Sequence, residues 1–247
     1  MVNPVREKLL QGKVSLGAWL NLASPLAAEV TAAAGFDWLA IDAEHSAFDI
    51  PLIADTFRAI EARGTVPFVR TWDHDPVSLA RILDAGAFGI VVPHVSTPKQ
   101  AEAIAKAMRY PPRGIRSAGT GRIAVYGADY RATANDQILV IPQIEDLEGI
   151  DNTEAIMSVE GVDAGFLGPG DLSISMGVQP GHPDHEAAVQ KFLAGCKKVG
   201  KPCGMPARTA ASAKQRIAEG FQFLDVASDL RILEAGAQAI VTALRSE

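Results

Sequence analysis

The sequence predicts a (β/α)₈ barrel, in which eight parallel strands alternate with helices. Eight short apolar runs, helical spacing between them and recurrent glycines before new runs support this prediction. Strands that are apolar almost throughout are typical of parallel strands buried on both faces, and eight βα units in 247 residues match the usual barrel size. An open doubly wound sheet is the alternative, but no turn reads GxGxxG or GxxxxGK[ST]. We expect residues 1–247 to form one domain.

The apolar runs are the predicted strands. They span residues 15–20, 36–42, 65–70, 89–95, 138–145, 164–171, 201–207 and 221–228. Segments between them begin with helix start signals, such as Asp75-Pro76 and Thr97-Pro98, and continue with helical apolar spacing. Glycines that can take a positive φ, where a helix stops and the chain reverses, precede six of the strands. These glycines are Gly35, Gly64, Gly86, Gly161, Gly200 and Gly220.

Charged and imidazole side chains follow directly on several apolar runs. They are Asp42, Glu44, His45, Arg70, Glu145 and Asp171. In a barrel of this type the catalytic groups come from the C-terminal ends of the strands. The sequence therefore predicts a reaction centre at that end.

Composition indicates a soluble globular protein. The net charge of −6 argues against a nucleic-acid partner, because phosphate binding needs clustered lysine and arginine. No segment approaches the roughly 20 apolar residues of a membrane span. The N-terminal segment lacks the apolar core and cleavage site of a signal peptide, so we expect a cytoplasmic protein. Cys196 and Cys203 are expected to be buried free thiols rather than a disulfide.

Glu145 and Asp171 end neighbouring predicted strands, where two carboxylates repel unless a cation or a proton lies between them. Carboxylate oxygens with positions left for water and substrate favour Mg²⁺, Mn²⁺ or Co²⁺ over a closed zinc site. Gln143, two residues before Glu145, should share its inward face. The alternative is that one carboxylate caps a helix, as Asp171 could, while the other pairs with an arginine.

Arg70 ends the third predicted strand, where a permanent cation beside a metal implies an anionic substrate. A salt bridge to Asp42 is the alternative. His45 can move a proton near neutral pH, although a lone histidine is usually only a packed or exposed polar group. Together these groups suit enolate chemistry. A 2-oxo acid would chelate the metal, the metal and Arg70 would stabilise charge on its keto oxygen, and His45 would move the proton.

A lysine Schiff base is the other route to such a carbanion equivalent. The lysines fall on predicted helices, in the N-terminal arm or at the N-terminal end of a strand. None closes an apolar strand at the predicted mouth, so the metal route is preferred.

Five ordered motifs resemble one known family. They are AGFDWLAIDAEHS at 34–46, PFVR at 67–70, RYPPRGIRS at 109–117, IPQIE at 141–145 and GVDAGFLGPGDLS at 161–173. They resemble the HpcH/HpaI aldolases, metal-dependent class II pyruvate aldolases that include 4-hydroxy-2-oxoheptanedioate aldolase. The resemblance covers nearly the whole chain. It implies a (β/α)₈ barrel, commonly a homohexamer with swapped C-terminal helices, that makes or splits 4-hydroxy-2-oxo acids using pyruvate and an aldehyde.

The resemblance also implies roles for individual residues. Glu145 and Asp171 match the metal ligands, His45 the base, and Arg70 the group that stabilises the enolate oxygen. Gln143 and the backbone of Gly170, together with Asp171, would hold the oxo acid.

The family pattern further assigns Asp84 as the acid that raises the basicity of the histidine, whereas spacing alone favours Asp42. Asp84 lies near the end of a predicted helix, at the opposite end of its own barrel. We therefore expect a site shared between chains of an oligomer. Asp42, Glu44, Trp19 and His94 complete the candidate residues.

Three positions depart from the family pattern. His94 stands where an apolar residue such as methionine is expected, Ser117 where a glycine often follows the arginine, and Pro206 where an aliphatic residue is common. A more polar pocket predicts that a hydroxylated donor such as hydroxypyruvate is accepted. A citrate-lyase-like enzyme acting on acyl-CoA and a non-catalytic barrel that binds a metal and an oxo acid are the alternative functions.

Overall fold

The computed structural model describes residues 1–245, and its eight strands form one closed parallel barrel. Each strand pairs with the next one along the chain, and the last pairs with the first. This confirms the predicted fold class. The strands are β1 Ser15–Leu20, β2 Trp38–Asp42, β3 Val66–Arg70, β4 Gly89–Val92, β5 Leu139–Ile144, β6 Gly165–Leu167, β7 Cys203–Pro206 and β8 Phe223–Ser228.

Helices surround the barrel and begin where the sequence carries start signals. Asp75 and Thr97 cap two of them through their side chains, as predicted. All six glycines that precede strands have positive φ. The helices are α1 Pro4–Leu10, α2 Pro25–Ala32, α3 Ile50–Glu61, α4 Pro76–Ala85, α5 Pro98–Met108, α6 Tyr130–Gln137, α7 Leu147–Asp151, α8 Thr153–Ser158, α9 Pro169–Met176, α10 Pro183–Val199, α11 Ala210–Glu219 and α12 Asp229–Arg245, with a 3₁₀ turn over Arg122–Tyr126.

The barrel interior is filled by aromatic rings. Trp38 stacks on Phe223 with ring centroids 4.4 Å apart, and Phe166 meets Phe223 edge to face at 5.8 Å. Trp19 lies above them, 5.7 Å from Phe166 and 6.3 Å from Trp38. A Cβ on Gly17 would lie 2.0 Å from the Trp38 ring, so only glycine leaves room for the indole. We call these four rings the aromatic layer.

Side-chain alternation along the strands places polar groups above the aromatic layer. Trp38 and Phe68 point inward, and so do Asp42 and Arg70, which follow at even spacing on the same strands. Ile141 on β5 sets the same face for Gln143 and Glu145. The apolar residues of the other strand face pack against the helices in a second core. The alternation of side chains continues to the C-terminal ends of β2, β3 and β5, and this makes the predicted mouth polar.

The opposite end of the barrel is closed by α1. Val5 and Leu9 join the interior cluster, and Asn3 fixes the helix through hydrogen bonds from its amide to the carbonyl oxygens of Phe88 and Gln137. The helix thus covers the bottom and leaves the C-terminal strand ends open.

Two predicted strands run three or more residues past the C-terminal ends of the observed strands. The fourth ends at Val92 rather than at residue 95, because His94 has a φ of 56° and turns the backbone out of the extended conformation. The sixth ends at Leu167 rather than at residue 171, because Pro169 begins α9 as its first residue. Asp171 is therefore in the first turn of a helix, which corrects its prediction as a strand end.

Helix α12 exposes a long apolar face. The exposed residues on it are Leu230, Ile232, Leu233, Ile240, Val241 and Leu244. Within residues 1–245, no helix combines the length and the hydropathy needed to cross a membrane. Cys196 on α10 and Cys203 on β7 are buried free thiols, as predicted.

Candidate active site

A cavity of about 390 Å³ opens at the C-terminal ends of the strands. Its lining includes Trp19, Arg70, Gln143, Gly170, Asp171 and Arg208. A larger cavity of about 640 Å³ lies on the outer surface beside α5, but none of the strand-end groups reaches it. The mouth cavity is the candidate site because it gathers side chains from several strands.

Arg70 is held rigidly at one side of the cavity. Its Nε and Nη2 donate to the two carboxylate oxygens of Asp42 at 3.0 and 2.8 Å, and Nε also lies 3.1 Å from Glu44 Oε2. The guanidinium lies 5.2 Å from the Trp19 ring centroid. Burial alone would lower the pKa of Arg70, but the hydrogen bond and charge of Asp42, with Glu44 and Glu145, raise it. The alternative salt bridge to Asp42 is thus present, in a side chain that also lines the cavity.

Glu145 lies just beyond the end of β5 and accepts hydrogen bonds at both oxygens. Oε1 accepts from the backbone N–H of His94 at 2.7 Å, and Oε2 accepts from Gln143 Nε2. Burial raises the pKa of Glu145, the hydrogen bonds from Gln143 and His94 oppose this, and the charge of Asp171 adds to the increase. A Cβ on Gly168 would lie 2.4 Å from Glu145 Oε2, so glycine is required beside this carboxylate.

Asp171 reaches the cavity from the first turn of α9. Gly168 holds the cap position and no side chain caps the helix, so Asp171 is not an N-cap. Gly170 also lines the cavity, and a Cβ there would meet open space. The buried Oε1 of Gln143 has no hydrogen-bond partner among residues 1–245.

These donors fit a hard divalent cation. Glu145, Asp171 and Gln143 offer oxygens only, the ligand type that Mg²⁺ and Mn²⁺ prefer. Within residues 1–245, no three histidine, cysteine, aspartate or glutamate side chains are grouped so that they could hold a metal ion by themselves. A cation at these oxygens would therefore keep positions for water and substrate.

His45 lies at the rim, with its side chain 62% exposed. Its Nε2 is 3.6 Å from Glu44 Oε2, and its backbone N–H donates to Asp42 Oδ1 at 3.3 Å. Asp84 lies near the other end of the barrel, where its Oδ1 accepts from Arg116 Nη2 at 2.7 Å. Within the described chain, neither Asp42 nor Asp84 forms an ion pair with the imidazole of His45.

His94 connects two carboxylates above the cavity. Its Nε2 is 2.9 Å from Glu44 Oε1, and its Nδ1 is 3.0 Å from Glu145 Oε1. The left-handed backbone at His94 brings both its N–H and its ring to Glu145. His94, which stands where the family pattern predicts an apolar residue, thus places its imidazole directly against Glu145, a candidate metal ligand.

Two supporting residues were not predicted. Asn21 Nδ2 donates to Asp42 Oδ2 at 2.9 Å, and Asp229 accepts the backbone N–H groups of Asn21 and Leu22 at 2.7 and 3.2 Å. Asn21 directly follows β1 and Asp229 directly follows β8. This position at a strand end could have identified both residues from the sequence.

A second ion pair at the mouth was also missed. Arg208 follows β7 and lines the cavity, and its Nε lies 3.6 Å from Asp225 Oδ2. Asp225 lies on β8, two residues after the inward-facing Phe223, and is fully buried. Neither carboxylate oxygen has a hydrogen-bond partner with good geometry among residues 1–245. The detectable signal was a single charge inside the apolar run FLDVAS.

Asp225 should make stability depend on pH. Burial raises the pKa of this carboxyl to about 7, and Arg208 opposes the shift only in part. Between about pH 4 and pH 7 the folded protein therefore holds a proton that the unfolded chain has lost, so the free energy of unfolding falls as pH rises. Asp225→Asn removes this loss. From pH 4 to pH 8, the free energy of unfolding of the variant should therefore rise relative to that of the wild type by on the order of 2–4 kcal/mol.

Urea denaturation at both pH values measures this difference. Asp55→Asn on α3 is the control, because Asp55 is exposed and its replacement should not change how stability depends on pH. Asp163 is not used because it pairs with the buried Arg109. A stability difference between Asp225→Asn and the wild type that stays constant with pH would contradict the prediction.

A closed parallel barrel with carboxylates, an arginine and a histidine around its C-terminal mouth has the architecture of a (β/α)₈ enzyme. The family model described as HpcH/HpaI aldolase/citrate lyase matches residues 15–235. The chain therefore belongs to this family of aldolases and lyases, and the predicted resemblance is confirmed.

Individual relatives cover the whole fold. A 5-keto-4-deoxy-D-glucarate aldolase from Salmonella arizonae is 38% identical over 96% of this chain and 95% of its own. The structure of an HpcH/HpaI family protein from Burkholderia cenocepacia J2315 superposes with a TM-score of 0.94, at 36% identity over 99% of this chain and all of that one. The citrate synthase SbnG superposes with a TM-score of 0.90, at 31% identity over 98% and 97% of the two chains.

Proposed function

We propose that the protein is a divalent-metal-dependent (class II) aldolase, an aldehyde-lyase that reversibly splits 4-hydroxy-2-oxo acids into pyruvate, or hydroxypyruvate, and an aldehyde. The observation that carries the proposal is the mouth cavity lined by Arg70, Gln143 and Asp171, with Glu145 accepting a hydrogen bond from Gln143. The acidic oxygen donors would bind a divalent cation, and the cation and Arg70 would bind an oxo acid and stabilise negative charge on it. The relatives named as aldolases of a keto acid support this choice.

Each residue has a defined task in the proposed reaction. Glu145 and Asp171 would hold Mg²⁺, Mn²⁺ or Co²⁺, which when bound supplies a Lewis acid beside the oxo acid. Gln143 and the backbone of Gly170 would orient the oxo acid. Arg70 would donate hydrogen bonds to the keto oxygen as negative charge develops there, and its fixed geometry means that little reorganisation is needed.

Proton transfer is assigned to His45. In the cleavage direction it would take the proton of the 4-hydroxyl group while the C3–C4 bond breaks and its electron pair passes to the donor fragment. The imidazole of His45 lies exposed at the rim of the barrel, beside Glu44. His94, whose ring already faces Glu44 and Glu145, would shape the pocket rather than serve as the base.

We also propose a homo-oligomer, by analogy a hexamer, in which Asp84 of one chain approaches His45 of another. Two surfaces support this. The apolar face of α12 is exposed in the single chain, and Asp84 keeps a partly exposed carboxylate beside Arg116. A particle mass equal to one chain by light scattering would contradict the proposal.

The acyl-CoA alternative needs a basic surface for the nucleotide tail. Lys197 and Lys198 lie at the C-terminal end of α10, where they pair with the carbonyl oxygen of Glu219 and the carboxylate of Glu154. We therefore rank this alternative, and the non-catalytic barrel, below the aldolase.

Deuterium exchange into the methyl group of pyruvate tests the proposal without knowledge of the aldehyde. We expect NMR to show exchange when Mg²⁺ or Mn²⁺ is present, loss of exchange with EDTA, and recovery when excess metal is returned. The physical reason is that the methyl proton becomes acidic only while charge on the keto oxygen is stabilised. Exchange that resists EDTA would contradict the metal assignment, and its complete absence would favour the non-catalytic barrel.

A further inference from the structure

The two proposed metal ligands are held in different ways. Glu145 accepts hydrogen bonds at both carboxylate oxygens, from the backbone N–H of His94 and from the side chain of Gln143. Asp171 is exposed, and among residues 1–245 no group forms a hydrogen bond or an ion pair with its carboxylate. The position of Asp171 in the cavity therefore depends on the backbone that carries it.

That backbone is the turn between β6 and α9, residues 168–171. Positions 168 and 170 are glycines, which have a wider range of backbone conformations than other residues. The backbone N–H of Gly168 donates to the carbonyl oxygen of Ile144 at 2.9 Å, which fixes the start of the turn to the barrel. Asp171 lies three residues further on, in a helix without a side-chain cap. A second anchor close to Asp171 is needed to fix its place.

His185 on α10 provides this second anchor. Its Nε2 lies 2.8 Å from the carbonyl oxygen of Pro169, the first residue of α9. A carbonyl oxygen can only accept, so the imidazole donates its N–H from Nε2. Among residues 1–245, His185 is the one side chain outside α9 that forms a hydrogen bond with the backbone of residues 168–171. The imidazole thus ties α10 to the turn that carries Asp171.

The imidazole is itself fixed by the packing of α10. Helical spacing places the buried residues of this helix on one face, which consists of His185, Ala188, Val189, Phe192, Leu193 and Cys196. His185 is 4% exposed and is the first residue of that face. A buried N–H without a partner costs free energy, and the carbonyl oxygen of Pro169 removes this cost. Because α10 packs against the protein along the whole face, the donor keeps a fixed place.

We propose that His185 is a positioning residue of the metal site. Its hydrogen bond to Pro169 fixes the first turn of α9, and the fixed turn keeps Asp171 where it and Glu145 can act on the same divalent cation. This inference rests on the proposed function and adds to it a residue that does not line the mouth cavity.

Two replacements test the proposal through the dissociation constant of Mn²⁺, measured by electron paramagnetic resonance on the full-length protein. His185→Leu fills the space of the imidazole without a donor. We expect it to weaken Mn²⁺ binding by roughly 10-fold, the lower end of the range for residues that orient metal ligands. His185→Gln keeps an N–H donor at about the reach of Nε2, so it should restore most of the lost affinity.

A double variant shows whether the effect passes through Asp171. Asp171→Ala removes the ligand, so the place of its backbone no longer matters for the cation. Adding His185→Leu to Asp171→Ala should therefore weaken Mn²⁺ binding little further. Losses that multiply in the double variant would overturn the proposal, because they would show that His185 acts on the site by another route.

A control on the same helix separates the metal effect from stability. Val189 is fully buried on the inward face of α10 and has no side-chain hydrogen-bond donor. Val189→Ala should lower the unfolding temperature and leave the Mn²⁺ affinity unchanged. If His185→Leu does not fold, His185→Asn takes its place, because the shorter side chain stays polar but withdraws its donor from Pro169.

The outcomes distinguish this inference from the function on which it rests. Mn²⁺ affinity like that of the wild type in His185→Leu, with only a lower unfolding temperature, would overturn the role of His185 and leave the metal-dependent aldolase standing. A loss that His185→Gln does not restore would also overturn it. Wild-type protein that binds no Mn²⁺ would overturn this inference together with the metal assignment.

Discussion

Glu145→Gln is expected to abolish divalent-cation binding and to lower kcat/KM for aldol cleavage by about 10³-fold or more, because several kcal/mol of charge stabilisation depend on the cation. Glutamine has nearly the shape of glutamate but removes one of the two negative charges that attract the metal. The carboxylate is buried and its pKa is raised, so the charged form is destabilised in the fold. Glutamine removes that cost but can accept only one of the two hydrogen bonds that Glu145 accepts, so the unfolding temperature of the variant is measured alongside its activity.

Binding of Mn²⁺, followed by electron paramagnetic resonance, measures the effect independently of turnover. Glu148→Gln is the matched control, since Glu148 is an exposed residue on α7, three positions along the chain. The control should bind Mn²⁺ like the wild type. Undiminished Mn²⁺ affinity in Glu145→Gln would remove this residue from the metal site.

Arg70→Lys is expected to slow pyruvate proton exchange by roughly 10²- to 10³-fold, the loss found when one preorganised donor is removed from a developing oxyanion. Lysine keeps the positive charge. It cannot keep two parallel hydrogen bonds to Asp42 and also present a donor to the cavity, because its single nitrogen lacks the guanidinium fork. It also loses the packing of the guanidinium against the Trp19 ring.

The rate of exchange at saturating pyruvate and metal reports this loss, and the KM for pyruvate shows whether binding of the oxo acid falls with it. Arg63→Lys makes the same replacement at an exposed ion pair with Glu29 and should not change either quantity. An exchange rate for Arg70→Lys within twofold of the wild type would mean that Arg70 serves only the salt bridge to Asp42.

The barrel and part of its mouth could be predicted because both depend on simple periodicity. Apolar runs of strand length define the barrel, and alternation then decides which side chains face its axis. Asp42, Arg70, Gln143 and Glu145 each lie at even spacing from an inward apolar residue of their own strand. Their convergence on one region follows from the parallel arrangement of the strands.

Local backbone geometry could not be predicted in the same way. Asp171 and His94 were assigned to strands, but one lies in a helix and the other has a left-handed backbone. In both cases the chain leaves the extended conformation before the apolar run ends. The pairing of Arg208 with Asp225 was missed because it joins the loop after β7 to β8, and the single charge inside FLDVAS marks Asp225 without indicating its partner.

The aromatic layer has a consequence for the order of events in turnover. Trp19, Trp38, Phe166 and Phe223 close the barrel axis beneath the cavity, so molecules enter and leave through the mouth. The side chain of Arg70 is 13% exposed and that of Arg208 is 36% exposed, so the oxo-acid site proposed at Arg70 lies deeper than the outer part of the cavity at Arg208. An aldehyde bound in that outer part would stand in the path of an oxo acid bound for Arg70. Under the proposed function we therefore expect ordered kinetics, in which the oxo acid enters first in synthesis and the aldehyde departs first in cleavage.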